Sequence, residues 1–154
     1  MSVSVQEKDF DVSSEIDALT RGDTGVGAVA TFIGKVRGDA HGNTLQSMTL
    51  EHYPGMTEAE LAAIEQEAVG RFQLSASRVV HRVGSLHPGD NIVLVITCAA
   101  HRGDAFAGCE FLMDYLKTRA PFWKKETGVT GEDRWVDARE CDEAALTRWA
   151  KPAG

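Results

Sequence analysis

The stretch MDYLKTRAPFWKKE, residues 113–126, decides the fold. Met113 to Thr118 continues a helical pattern. Pro121 then stops it, because proline lacks the N–H a helix needs and its ring clashes with the preceding turn. Phe122–Glu126 resumes with the alternation of a strand, which sets Trp123 opposite Lys124. Helix and strand are thus joined in one segment, so the chain mixes both kinds of element. The same stretch carries Lys117, Arg119, Lys124 and Lys125, with no acid among residues 115 to 125. The whole chain has 16 Lys+Arg against 23 Asp+Glu, so a cationic run needs a reason. Such cations either meet the negative end of a helix dipole or frame an anion site that also needs an amine. The second reading is preferred because matching parts recur elsewhere in the chain.

Upstream, Ala105–Thr118 reads as a helix capped by Asp104. Phe106, Cys109, Met113 and Leu116 form its inner stripe, with Leu112 beside it. Before it, Asn91–Ala100 (NIVLVITCAA) is a nearly continuous apolar strand, as expected where both faces are buried. That strand ends at His101-Arg102, which sets two potential cations beside the free N–H groups of a helix start and suits an anion. Arg78–Val83 is a short strand, and Gly84–Asp90 a loop. His81 has no His, Cys or acid at metal-ligand spacing and reads as structural.

Glu58–Phe72 reads as a helix opened by a Thr57–Glu60 capping box. Leu61, Ile64, Ala68 and Phe72 face inward; Glu58, Glu60, Glu65 and Glu67 form a solvated face. Gly25–Arg37 (GVGAVATFIGKVR) reads as a central strand, paired in a hairpin with Thr44–His52 across the Gly38–Asn43 loop. Its opening fits G-x-G-x-x-[GA], but a turn precedes it and a β-branched run follows, so a dinucleotide site is rejected. Alternation puts Lys35 and Arg37 on one face, either as an exposed strand end or as a two-pronged phosphate grip. Residues 2–11 suit an edge strand, and Ser13 or Ser14 caps a short helix over Glu15–Thr20. Beyond the opening stretch come a loop at Thr127–Asp133, a strand at Arg134–Ala138, and a closing helix, Glu143–Ala150, capped by Asp142 with Ala145 and Trp149 on one face. No repeat or linker divides the chain, so residues 1–154 are expected to form a single domain.

Hydrophobic residues make up 43% and charged residues 25%, a composition that buries a core and argues against disorder. The net charge of −7 argues against nucleic acid or an anionic membrane as partner. No apolar run approaches the roughly 18–20 residues that cross a bilayer, and no basic segment leads into an apolar one at the N-terminus. The expected location is cytoplasmic. Cys98, Cys109 and Cys141 are an odd number with no CxxC pair. Neither a disulfide framework nor a zinc site is expected, and Cys98 and Cys109 read as small buried hydrophobes. No metal motif, phosphate loop or Ser-His-Asp arrangement is found, so neither metal nor cofactor is expected.

Lys35, Arg37, Arg102, Lys117, Arg119, Lys124 and Lys125 are seven of the 16 basic residues; the other nine face 23 acids. Positive charge at strand and helix ends, on an otherwise acidic chain, fits a focused pocket for a small phosphorylated anion. A lysine among other cations gives up its proton more readily and can act as base or nucleophile. Lys117 and Lys124, flanking Pro121, are the candidates.

Five blocks in order, TFIGKVR (31–37), LEHYPGM (50–56), HR (101–102), MDYLKTRAPFWKKE (113–126) and DRWVDARE (133–140), resemble the large catalytic subunit of molybdopterin synthase. The resemblance covers nearly the whole chain except the first twenty residues and the Gly38–Asn43 loop. It implies an α/β hammerhead-type fold, of the α+β kind, with a mixed or antiparallel sheet and packed helices. It further implies a homodimer in which each copy binds a small ubiquitin-like sulfur-carrier subunit, giving a heterotetramer. The implied activity is sulfur transfer from the carrier's thiocarboxylated C-terminus to cyclic pyranopterin monophosphate, forming the molybdopterin dithiolene of molybdenum cofactor biosynthesis. The matching site positions are Lys35, Val36, Arg37, His101, Arg102, Lys117, Lys124, Lys125 and Glu126, with Lys117 and Lys124 catalytic. Sulfur that arrives on a partner needs no cysteine nucleophile here. Two other readings are a non-catalytic dimeric binding module for a ubiquitin-like protein or a phosphorylated ligand, and a nucleotide-binding regulator using Lys35 and Arg37.

Overall fold

The computed structural model describes residues 2–40, 43–136 and 146–150. Its elements run β1 (Val3–Gln6), α1 (Val12–Thr20), β2 (Ala28–Lys35), β3 (Asp39–Ala40), β4 (Asn43–His52), α2 (Met56–Phe72), β5 (Ala76–Arg82), β6 (Gly84–Leu86), β7 (Asn91–Ala99), α3 (Arg102–Arg119), β8 (Phe122–Gly128) and β9 (Asp133–Val136). A short 3-10 turn, Leu146–Trp149, closes the described chain.

The strands form two sheets. The first is mixed, in the order β1-β5-β7-β2, with only β1 and β5 parallel. The second is antiparallel, in the order β3-β4-β8-β9, with β6 paired to β4. The centre of the first sheet is β7, and its composition explains its place. Val93, Val95 and Ala99 pack into the core shared with α2 and α3. Leu94, Ile96 and Cys98 face the other way, against Val12, Ile16 and Leu19 of α1. A strand covered on both faces has no polar side, which is why this segment shows no alternation. Burying a side chain such as Ile96 contributes about 1.5–3 kcal/mol. A third cluster, Val36, Leu45, Met48, Leu50, Val83 and Leu86, knits the second sheet to the first.

Several expectations are corrected. The expected hairpin of the Gly25–Arg37 strand with Thr44–His52 does not form. β2 pairs along its length with β7, from Ala28–Ala99 to Lys35–Asn91, and β4 pairs with β8 instead. The apolar β7 needs neighbours on both edges, and β2 supplies one. The short first helix is capped by Asp11, which accepts the Ser14 N–H at 3.0 Å, rather than by a serine. Residues 84–86, expected in a loop, form β6. The helix α3 begins at Arg102, so Asp104 lies in its first turn and not at its cap. Its buried stripe centres on Ala105, Leu112 and Leu116, which leaves Phe106 on the flank and 65% exposed rather than in the core. Glu65, expected in solvent, is buried, and its carboxylate accepts hydrogen bonds from Ser2 and from Ser77, the latter at 2.7 Å. Of the closing helix, Asp142 and Ala145 lie outside the described residues, as do Ala138 of the last strand and Cys141.

Candidate active site

The α3–β8 join is built from residues 117–124. Lys117 stands in the last turn of α3, which ends at Arg119. Pro121 follows, the Phe122 N–H closes a tight turn onto the Ala120 carbonyl at 2.9 Å, and β8 begins. Register on β4 pairs Lys124 with Leu50 and Lys125 with Thr49, so successive residues of β8 face opposite sides of the sheet. Lys124 and the buried Glu126 share the inner face with Leu50 and Met48. Lys125 lies on the outer face, 5.8 Å from the Trp135 ring. The buried Glu126 is 3.4 Å from the Arg134 guanidinium.

Lys35 and Arg37 reach the same end of the molecule. Lys35 closes β2 opposite Asn91, where β7 begins, and its ammonium donates to the Gly89 carbonyl at 3.3 Å. Val36 between them is buried in the cluster of Leu50 and Met48, against which Phe122 also packs. Its N–H donates to Asp90 and its carbonyl accepts from Gly89. With Val36 fixed inward, Lys35 and Arg37 both project outward, as the alternation predicts.

His101 and Arg102 are not part of that cluster. They follow the far end of β7, and α3 then runs back from Arg102 toward the start of that strand. Eighteen residues of helix at about 1.5 Å each put Arg102 roughly 25 Å from the Lys117 end. The chain therefore brings Lys35, Arg37, Lys117 and Lys124 to one end and leaves His101 and Arg102 at the other.

Arg119, counted among the cations of the anion site, belongs elsewhere. Its guanidinium donates twice to Glu60, at 2.7 and 3.0 Å, and reaches Glu67 at 3.5 Å. The hydrogen bonds to Glu60 raise its pKa further, so it pins α3 to α2 as a fixed cation. Thr57 departs from expectation as well. Gly55 takes the cap position at φ 87°, a left-handed value that suits glycine, and the Glu58 carboxylate accepts the Gly55 N–H at 2.6 Å. Thr57 then falls inside the helix, fully buried. Its hydroxyl accepts the Tyr53 N–H at 2.9 Å and donates to the Pro121 carbonyl at 3.0 Å. The Pro-Gly turn just before it was the signal that the cap lay earlier. His81 is buried and stacks on Phe122 with ring centroids 3.9 Å apart and planes 19° from parallel.

A cavity of about 340 Å³ opens between β4, β8 and β9, lined by Glu126, Glu132, Asp133 and Arg134 among others. Three acids against one arginine do not suit an anion, and of the expected site residues only Glu126 lines it. Among the described residues no three His, Cys, Asp or Glu side chains are grouped to hold a metal. Cys98 and Cys109 are free and buried, and burial pushes the Cys109 thiol up to about 11, far from a nucleophile's range.

A family model described as MoaE protein matches residues 5–119. The molybdopterin synthase catalytic subunit of Ralstonia nicotianae is 56% identical over 148 residues, 96% of this chain and 84% of the relative. The chain belongs to the MoaE family. Membership makes it a molybdopterin synthase catalytic subunit, an enzyme of molybdenum cofactor biosynthesis. The MoaE fold is shared with molybdopterin cofactor biosynthesis protein E of Burkholderia multivorans, at a TM-score of 0.81 and 55% identity over 96% of this chain and 95% of that one. A Helicobacter pylori structure of the complex of subunits 1 and 2 of molybdopterin-converting factor superposes at a TM-score of 0.70. At 18% identity over 91% of this chain and 92% of that one, it speaks to the fold. The expected single α+β architecture is therefore that of MoaE. No described helix is long and apolar enough to cross a membrane.

Proposed function

We propose that this subunit moves sulfur from the thiocarboxylated C-terminus of a small ubiquitin-like carrier to cyclic pyranopterin monophosphate. Lys117 acts beside the thiocarboxylate and Lys124 beside the pterin side chain, as acid–base groups. Arg37, His101 and Arg102 hold the cyclic phosphate and neutralise charge as it opens. Lys35 and Lys125 add cationic contacts, while the buried Val36 and Glu126 aim their neighbours. The observation that carries this reading is the elbow itself: Lys117 and Lys124 stand on its two arms, at the end that also bears Lys35 and Arg37.

The roughly 25 Å between Arg102 and the Lys117 end supports a homodimer in which His101 and Arg102 of one copy complete the site of the other. Val29, Phe32 and Ile33 of the edge strand β2, with Phe106 on α3, are exposed apolar side chains suited to such an interface. Two carriers then give a heterotetramer, in keeping with the subunit complex seen in the H. pylori protein. Two free buried thiols suit a reducing compartment, and the cytoplasm is proposed as the location.

The test is reconstitution with thiocarboxylated carrier and cyclic pyranopterin monophosphate. Wild type yields molybdopterin; Lys117→Ala and Lys124→Ala yield almost none. Mixing His101→Ala with Lys117→Ala restores up to about a quarter of the sites if copies share residues, by random pairing of subunits. Near-normal product from both lysine variants refutes the acid–base assignment. No recovery in the mixture, with heterodimers present, refutes the shared site.

A further inference from the structure

Lys117 and Lys124 sit on different elements, and between them the chain turns from helix to strand at a proline. The helix ends at Arg119 and the β4–β8 ladder takes hold only at Phe122, opposite His52, so the spacing of the two amines also depends on what grips the join between them. Two side chains remote in sequence grip it. The Thr57 hydroxyl, on α2, donates to the Pro121 carbonyl at 3.0 Å while accepting the Tyr53 N–H at 2.9 Å. The His81 ring, on β5, lies flat against Phe122. It is held in plane by a 2.9 Å hydrogen bond from Nδ1 to the Arg82 carbonyl.

We propose that Thr57 and His81 are positioning residues for sulfur transfer, fixing the Pro121–Phe122 elbow and with it the separation of Lys117 and Lys124. The proposal rests on the acid–base reading of those lysines. Burial alone explains neither residue. Thr57 is fully buried, where valine has the same shape without a hydroxyl to satisfy. His81 is only 6% exposed, where leucine would bury as well. What the two natural residues add is direction: a hydroxyl that fixes one carbonyl, and a planar ring that fixes the tilt of another. The contacts of both fall on residues of the elbow, Pro121 and Phe122, so both act through it. A shift of about 1 Å in a catalytic group costs on the order of a hundredfold in rate, so small slack at this join is enough to matter.

The experiment is single-turnover transfer from thiocarboxylated carrier to cyclic pyranopterin monophosphate, below the melting temperature of every variant used. It compares wild type with Thr57→Val, Thr57→Ser, His81→Leu, His81→Phe and Lys124→Ala. Thr57→Val and His81→Leu are expected to slow transfer at saturating substrate by about tenfold to a hundredfold. The pterin KM should move by less than about threefold, because binding contacts are untouched. Thr57→Ser, which keeps the hydroxyl, and His81→Phe, which keeps the ring, should recover most of the rate. Wild-type rates in folded Thr57→Val and His81→Leu overturn the proposal, as does a loss that the serine and phenylalanine variants fail to recover. If Thr57→Val does not fold, the His81→Leu and His81→Phe pair decides. A wild-type rate in Lys124→Ala overturns the acid–base role of Lys124 and the positioning role together. An inactive Lys124→Ala beside a fully active Thr57→Val overturns the positioning role alone.

Discussion

Acid should weaken this fold through His81, and by an amount that can be worked out. Burial holds its pKa down, from 6.5 to about 4; a hydrogen bond with the Arg82 carbonyl opposes the shift, and the nearby His52 adds to it. A histidine depressed in the folded state is protonated first in the unfolded chain. Stability is therefore complete above the unfolded value of 6.5, falls as the pH drops from 6.5 toward 4, and is flat below. Each unit of separation is worth about 1.4 kcal/mol. Between pH 7 and pH 4.5 the loss from this one group is about 2 kcal/mol, against a typical total of roughly 5–15 kcal/mol. Urea unfolding of wild type and His81→Phe, at pH 7, 6, 5 and 4.5, isolates it, because the surface carboxylates titrate in both proteins. The stability difference between the two should shift by about 2 kcal/mol toward the variant as the pH falls. A difference constant to within about 0.5 kcal/mol across that range would show that His81 is not held neutral by burial.

Three further outcomes follow from local geometry. A Cβ at Gly27 would lie 2.1 Å from the Ala100 carbonyl oxygen, so Gly27→Ala should cost about 1–3 kcal/mol and lower the melting temperature; an unchanged melt refutes the close approach. Glu65→Leu strands the Ser2 and Ser77 hydroxyls that now donate to the carboxylate, and about 1–3 kcal/mol should be lost in urea unfolding, with Glu65→Gln losing less. Iodoacetamide at pH 8 should leave Cys98 and Cys109 unmodified in the folded protein and label both in denaturant, read by peptide mass mapping. Rapid labelling of Cys109 in the native chain would contradict its burial.

What the sequence revealed was whatever is written locally. Asn91–Ala99 announced its burial by having no polar side. Leu61, Ile64 and Ala68 announced the inner face of α2 by their spacing. The helix–proline–strand join appeared at its true place, as did the outward pair Lys35 and Arg37. Partner choice was not local, and there the reading failed. β2 left its sequence neighbour β4 for β7, because β7 had an open edge and no polar face to spare. Glu65 looked like a solvated acid because the hydroxyls that receive it stand at Ser2 and Ser77. Thr57 and Arg119 were read by their local environment, a helix start and a helix end, when each spends its polar atoms on a distant element. The separation of Arg102 from Lys117 was legible in principle, since they stand at opposite ends of one helix of known rise. It went unread because positive charges were grouped by sign before they were placed in space.

The pairing of β2 with β7 has a consequence for how the chain is made. Ala28 meets Ala99, and Lys35 meets Asn91. At roughly 5–20 residues per second, the ribosome needs on the order of 3–13 s to deliver the partner after β2 itself has been synthesised. Through that interval AVATFIGK is an unpaired apolar strand with both edges open, the kind of segment that chaperones retain and that aggregates when they do not. β1 waits in the same way for β5. The molecule cannot fold from its N-terminus as it emerges; its first sheet assembles when β7 arrives and gives two strands their places together.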